Sequence, residues 1–92
     1  MVKPYTDIFS SDKTERVRTF GEDVNEMDLI WHRDSCNREV TVLDGDNWKL
    51  QLDNQLPMVM EKGRLYHIPK MVYHRIIKGQ GDLRLKIWDE VN

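Results

Sequence analysis

Ninety-two residues, 39% hydrophobic and 33% charged, make one small globular domain with a single core and leave no material for a second. No apolar run approaches the length of a membrane span, no hydrophobic stretch follows Met1-Val2-Lys3-Pro4, and the lone Cys36 cannot form an internal disulfide, so a cytoplasmic protein without a secretory leader is expected. Fourteen basic against sixteen acidic residues give a formal charge of −2, and their scatter forms no phosphate-tracking stripe, so no nucleic-acid partner is expected, and the short apolar runs predict no membrane role.

The first third is polar and weakly periodic. Asp12 followed by Glu15 reads as the cap of a short helix that turns Val17 and Phe20 inward and stops at Gly21. Arg16-Val17-Arg18-Thr19-Phe20 alternates equally well as a strand, but a short helix or an irregular arm over 1–26, packed on a barrel of 27–92, is favoured. A strand is expected from Met27 to His32. From Arg38 to Trp88 short strands alternate with strong turn signals, the pattern of an all-β sandwich or barrel. Arg38 to Leu43 alternates Val40 and Val42 against Glu39 and Thr41, and Asp44-Gly45 supplies a tight hairpin. Trp48 to Leu52 returns with Trp48, Leu50 and Leu52 on one face, and Asp53-Asn54 turns again. Leu56 to Met60 contains Pro57, which suits an edge strand or a strand start. Glu61-Lys62-Gly63 then turns, and strands over Leu65 to Ile68, Tyr73 to Ile77 and Leu83 to Trp88 follow, with Gly79-Gln80-Gly81-Asp82 as the last loop. No internal repeat or low-complexity segment interrupts the pattern.

In Trp31-His32-Arg33-Asp34, His32 and Asp34 are two residues apart and point to the same side of an extended backbone. The run from Gly63 to His74 has the strand-turn-strand spacing that places a further histidine inside a small barrel. Two histidines and one carboxylate leave coordination positions open and suit non-heme Fe(II), with Zn, Mn or Ni able to occupy similar ligands.

On Gly63, Pro69 and His74 the chain resembles a small cupin, a double-stranded β-helix of the jelly-roll type, over about its last two thirds. The family pattern is a glycine, five residues, a proline, one residue, a glycine, two residues and a histidine; Met71 stands where its second glycine belongs. The first cupin motif, paired histidines, a glutamate and a glycine, reads here as His32-Arg33-Asp34, Arg38-Glu39 and Gly45. Asp34 replaces the second histidine, and His-x-Asp with a distal His is similar to the set of the 2-oxoglutarate-dependent oxygenases. Counting from His32 puts the family's glutamate on Glu39, while counting back from Gly45 puts it on Arg38. Arg38 shares a face with Val40 and Val42, so it is expected inside and Glu39 outside unless a bulge intervenes.

The resemblance implies one divalent metal on His32, Asp34 and His74, with Fe(II) favoured, in a barrel that binds or acts on a small anionic molecule, in the manner of a dioxygenase. Arg38 would hold a substrate carboxylate, and Gln51, Tyr66 and Tyr73, with Trp48, are candidates for the pocket wall. The alternative is a non-catalytic module for a small molecule or a sugar. In a purely structural barrel Arg38 and Asp34 would instead form a buried ion pair. His67 and Cys36 read as ordinary residues. Trp31 and Trp88 would be covered by the N-terminal arm or by a second subunit, since small cupins commonly pair as homodimers.

Overall fold

Period-2 alternation dominates the chain, and the computed structural model, which describes residues 3–90, is accordingly built of eight strands and one short 3-10 turn. Residues 1, 2, 91 and 92, the outer ends of the expected arm and barrel, lie outside the described residues. The strands are β1 (Thr6–Phe9), β2 (Glu15–Phe20), β3 (Arg38–Asp46), β4 (Lys49–Leu52), β5 (Met58–Val59), β6 (Leu65–Ile68), β7 (His74–Ile77) and β8 (Gln80–Asp89). They form a five-stranded sheet in the order β1-β2-β8-β3-β6 and a three-stranded sheet in the order β5-β4-β7. Among the described residues no helix is long and apolar enough to cross a membrane.

The core lies between the sheets. Val40 and Val42 of β3, Leu83, Leu85 and Ile87 of β8, and Tyr66 and Ile68 of β6 meet Trp48, Leu50 and Leu52 from the β4 side. Trp48 is fully buried, and its indole N–H donates to the Gln80 carbonyl at 3.2 Å, so its one polar atom is satisfied. Gly79 has no room for a Cβ, because the backbone of Asp46, Asn47 and Trp48 lies against it. That close approach brings the β7–β8 connection down onto the β3–β4 turn and closes this end of the barrel. Pro57 precedes β5, an edge strand, where a missing N–H costs no ladder bond.

Three expectations from sequence are corrected. The segment read as a capped helix is a hairpin: β1 pairs with β2, and β2 pairs with β8 from Glu15↔Trp88 to Phe20↔Leu83. Asp12 does accept from the Thr14 N–H at 3.1 Å, but it also accepts from Ser10 and Thr14 hydroxyls and so closes a loop instead of starting a helix. The strand expected over Met27 to His32 is a 3-10 turn at Glu26–Asp28 capped by Asn25, and only His32 enters a bridge. The hairpin placed at Asp44-Gly45 turns later, at Asn47 with φ of 58°. Two register shifts against β8 carry β3 through to Asp46, which draws Gln80 to Asp82 out of the expected loop into β8.

Met71, in the slot where the resemblance places glycine, has φ of 63°. A left-handed backbone costs a side-chain-bearing residue about 1–2 kcal/mol. Met71→Gly is therefore expected to stabilise the fold by about 0.5–1 kcal/mol after the entropy of glycine is offset, read as a raised denaturation midpoint in urea; an unchanged or lower midpoint would contradict the strain.

Candidate metal centre

His32 and His74 face each other across an isolated antiparallel bridge, His32 N–H donating to the His74 carbonyl at 3.0 Å and His74 N–H to the His32 carbonyl at 2.8 Å. Directly opposed residues project to the same face of a sheet, and the two rings lie 4.3 Å apart between centroids. The Asp34 carbonyl accepts from the Met71 N–H at 2.7 Å, and Asn37 Oδ1 accepts from the Lys70 N–H at 2.9 Å. The strained turn before β7 thus pins the loop that carries Asp34. Ligand atoms of His32, Asp34 and His74 all lie within 4.8 Å of one another.

Each imidazole is held in one tautomer. His74 Nδ1 sits 2.9 Å from the Val72 carbonyl and His32 Nδ1 3.0 Å from the Ile30 carbonyl. A carbonyl only accepts, so each Nδ1 carries a proton and each Nε2 is left for a ligand. His74 is 2% exposed, whereas His32 reaches the surface along one edge. Burial pushes the His32 imidazole below its ordinary pKa, and the neighbouring His74 adds to this against the Ile30 carbonyl. The Asp34 carboxyl is held below the usual range by the His74 ring, when Nε2 carries a proton to donate, and by Arg38, against its burial. A neutral histidine and an ionised carboxylate are the forms a metal requires.

Asp34 Oδ2 is the atom on which the site turns. It is buried and accepts no well-aligned hydrogen bond, although Arg38 Nη1 lies 3.2 Å and His74 Nε2 3.3 Å away. With the His74 Nδ1 proton committed to Val72, the carboxylate oxygen faces a ring lone pair. Arg38 offsets part of the carboxylate's charge, and a positive charge between oxygen and ring, either a second proton on the ring or a metal ion, removes the remaining repulsion. The donor set therefore fits a divalent cation.

Arg38 lines the same cavity, and Glu39 lies on the opposite face of the sheet with Glu15, Thr41 and Trp88. The Arg38 guanidinium is doubly engaged: Nη1 faces Asp34, and Nε donates to Asp89 Oδ1 at 2.7 Å. Asp89 also accepts from Arg16 Nη1 at 2.8 Å. Burial works to raise the Asp89 pKa, but the two arginines hold it below the usual value. Charges thus alternate from the N-terminal hairpin through Arg16, Asp89 and Arg38 to Asp34.

His32 and Asp34 line this cavity with Arg38, whereas His74, behind them, and the other residues singled out from the sequence are not among its lining residues. Gln51 donates to the Gln55 carbonyl and accepts from Arg75. The Tyr66 hydroxyl donates to the Val59 carbonyl and accepts from the Glu61 N–H, fixing the β5–β6 turn. Tyr73 is half-exposed beneath the Arg33 guanidinium, and Trp48 is core. Trp31 and Trp88 remain 40% and 38% exposed, uncovered by the hairpin. The cavity, about 450 Å³, is lined instead by Tyr5, Arg18 and Phe20 from the hairpin, Met27, Leu29 and Ile30 from the connection, and core residues of both sheets. Alternation in Arg16 to Phe20 was the one signal that could have brought the hairpin residues to the site.

No family model matches the sequence, and no curated protein matches it. Solved structures do match. An RmlC-like cupin with a double-stranded β-helix fold from Methanocaldococcus jannaschii aligns with a TM-score of 0.68 at 13% identity, over 96% of this chain and 81% of the other. A cupin-2 domain protein from Shewanella frigidimarina aligns at 0.67 and 16% identity, over 100% and 85%. The Fe(II) form of HppE aligns at 0.68 and 18% identity over 94% of this chain, which spans only about half, 48%, of that chain. At such identities the likeness establishes the fold, an all-β double-stranded β-helix shared with cupin-domain proteins.

Proposed function

We propose that the protein is a mononuclear metal-dependent cupin that holds one divalent ion, Fe(II) by preference, on His32, Asp34 and His74, and acts on a small molecule in dioxygenase fashion. The observation that carries this reading is the convergence of ligand atoms of His32, Asp34 and His74 to within 4.8 Å of one another, around a buried Asp34 oxygen that lacks a hydrogen bond. An Fe(II)-bearing protein of the same fold supports the choice of metal. When bound, the ion would supply Lewis acidity and, as iron, one-electron redox chemistry.

The chain's own contributions follow from the contacts. His32 and His74 present fixed lone pairs because Ile30 and Val72 hold their other nitrogens. Asp34 cancels one unit of a dication's charge, and Arg38, itself braced by Asp89, keeps that carboxylate turned inward. The cavity's accessible lining is mostly apolar, which weighs against the sugar-binding alternative.

Anaerobic titration of the metal-free protein with Fe(II), and separately with Co(II) as a spectroscopic probe, is expected to saturate at about one equivalent per chain. Glu39→Gln, on the outer face, is expected to bind within about twofold of the parent, a surface change far from the ligands. Failure of the parent to take up stoichiometric metal would remove the proposal, and a large loss in Glu39→Gln would place the wrong carboxylate in the site.

A further inference from the structure

We infer that the ligand of this centre is an amphiphile, with a short chelating head at the triad and an uncharged apolar body filling the cavity. The inference rests on the metal reading above and deepens it. Two independent features carry it, the chemistry of the wall and the state of the cavity's cations.

Most of the exposed wall is hydrocarbon: Phe20, Leu85 and Ile87 from one sheet, Leu50 and Ile76 from the other, and Met60 just after β5. A cavity of about 450 Å³ falls within the usual range for small-molecule sites. Water filling such a space gains little from the wall, so displacing it with hydrocarbon is favourable.

Two of the three cations that line the cavity, Arg38 and Arg18, already have partners. Arg38 is shared between Asp34 and Asp89. Arg18 donates from Nε and Nη2 to the two oxygens of Asp7 at 2.8 and 2.9 Å, with its guanidinium 3.6 Å from the Tyr5 ring centroid. A second carboxylate or a phosphate on the ligand body would have to compete for Arg38 with Asp34 and Asp89, or for Arg18 with Asp7, and weakening the pairing of these largely buried aspartates is costly. Lys3 is the cavity-lining cation without an ion pair among the described residues, and it is exposed at the rim, where solvent screens it. The pocket is therefore suited to a ligand whose single polar end is the one that meets the metal.

Zn(II)-loaded protein, with its metal content measured, is titrated by calorimetry with acetohydroxamate, hexanohydroxamate, octanohydroxamate and the monohydroxamate of adipic acid. All four carry the same bidentate head. Affinity is expected to rise about fourfold per added methylene, so that hexanohydroxamate binds roughly 250-fold more tightly than acetohydroxamate. The adipic derivative, equal in length but ending in a carboxylate, should bind at least about tenfold more weakly than hexanohydroxamate. Ile76→Phe, which narrows the cavity, should lower hexanohydroxamate affinity by about tenfold or more at unchanged metal content. If acetohydroxamate and hexanohydroxamate bind within about threefold, or the adipic derivative binds more tightly than its neutral counterpart, the amphiphile is wrong while the metal centre stands. If the protein takes up no metal, both readings fall.

Discussion

His74→Ala is expected to lose stoichiometric metal binding, with affinity falling by more than about 100-fold. Removal of even an outer-shell partner of a metal ligand costs roughly 10–100-fold, and His74 is proposed as a direct ligand. It is also the most sequestered of the three, 2% exposed, with Nδ1 fixed on Val72 and Nε2 3.3 Å from Asp34. Thermal melting gives a second readout. Metal at about 100 times its dissociation constant stabilises by about 2.7 kcal/mol, and in a domain of this size each kcal/mol moves the midpoint by about 4–8 °C. Metal should therefore raise the parent's midpoint by roughly 10–20 °C and leave that of His74→Ala unmoved. Cavity formation will lower the variant's own midpoint, so the metal-dependent increment is the quantity to compare. Because His74→Gln keeps more of the buried volume, it serves as the milder substitution should the alanine variant fold poorly. Stoichiometric metal in both variants would take His74 out of the site.

What the sequence made legible and what it hid divide along physical lines. Side-chain direction is local, since a period of two fixes which residues share a face, and this is why Trp48, Leu50 and Leu52 read as one buried stripe. The same rule put His32 and Asp34 on one side, and the glycine-to-histidine spacing brought His74 opposite them. Pairing partners are not local. Arg16 to Phe20 carries a valid strand pattern and a plausible helix cap together, and what decides between them is the ladder with β8, more than sixty residues away in the chain. Asp89, the second partner of Arg38, lies fifty-one residues downstream, and no spacing rule points to it. The β3 bulges likewise depend on contacts around Gly79 that no window of sequence contains. The cavity follows suit: His32, Asp34 and Arg38 in its wall were readable, but the hairpin and the 3-10 connection that supply Tyr5, Phe20 and Leu29 were not.

Arg38→Met is expected to destabilise the metal-free protein by about 2–3 kcal/mol, a drop of roughly 10–20 °C in the melting midpoint. The guanidinium compensates two carboxylates whose side chains are 17% and 23% exposed, Asp34 and Asp89, and methionine preserves the bulk of the stem while removing the charge. Breaking one side of a fully buried pair costs about 3–5 kcal/mol; partial exposure of both partners reduces that. Asp89 keeps Arg16 as a second partner at 2.8 Å, so the larger unmet charge is on Asp34. A metal ion would supply that missing compensation, so stoichiometric binding should survive and the metal-dependent rise in midpoint should exceed the parent's. Arg38→Lys should fall between the two, because an ammonium restores charge but lacks the planar fork that reaches Asp34 and Asp89 together. The competing account, in which Arg38 clamps a ligand carboxylate, makes the opposite forecast: little change in the metal-free midpoint and weakened binding of 2-oxoglutarate or a simpler acid to the metal-loaded protein. Melting curves with and without metal, set beside acid titrations of the parent and both variants, separate a residue that holds Asp34 in place from one that receives the ligand.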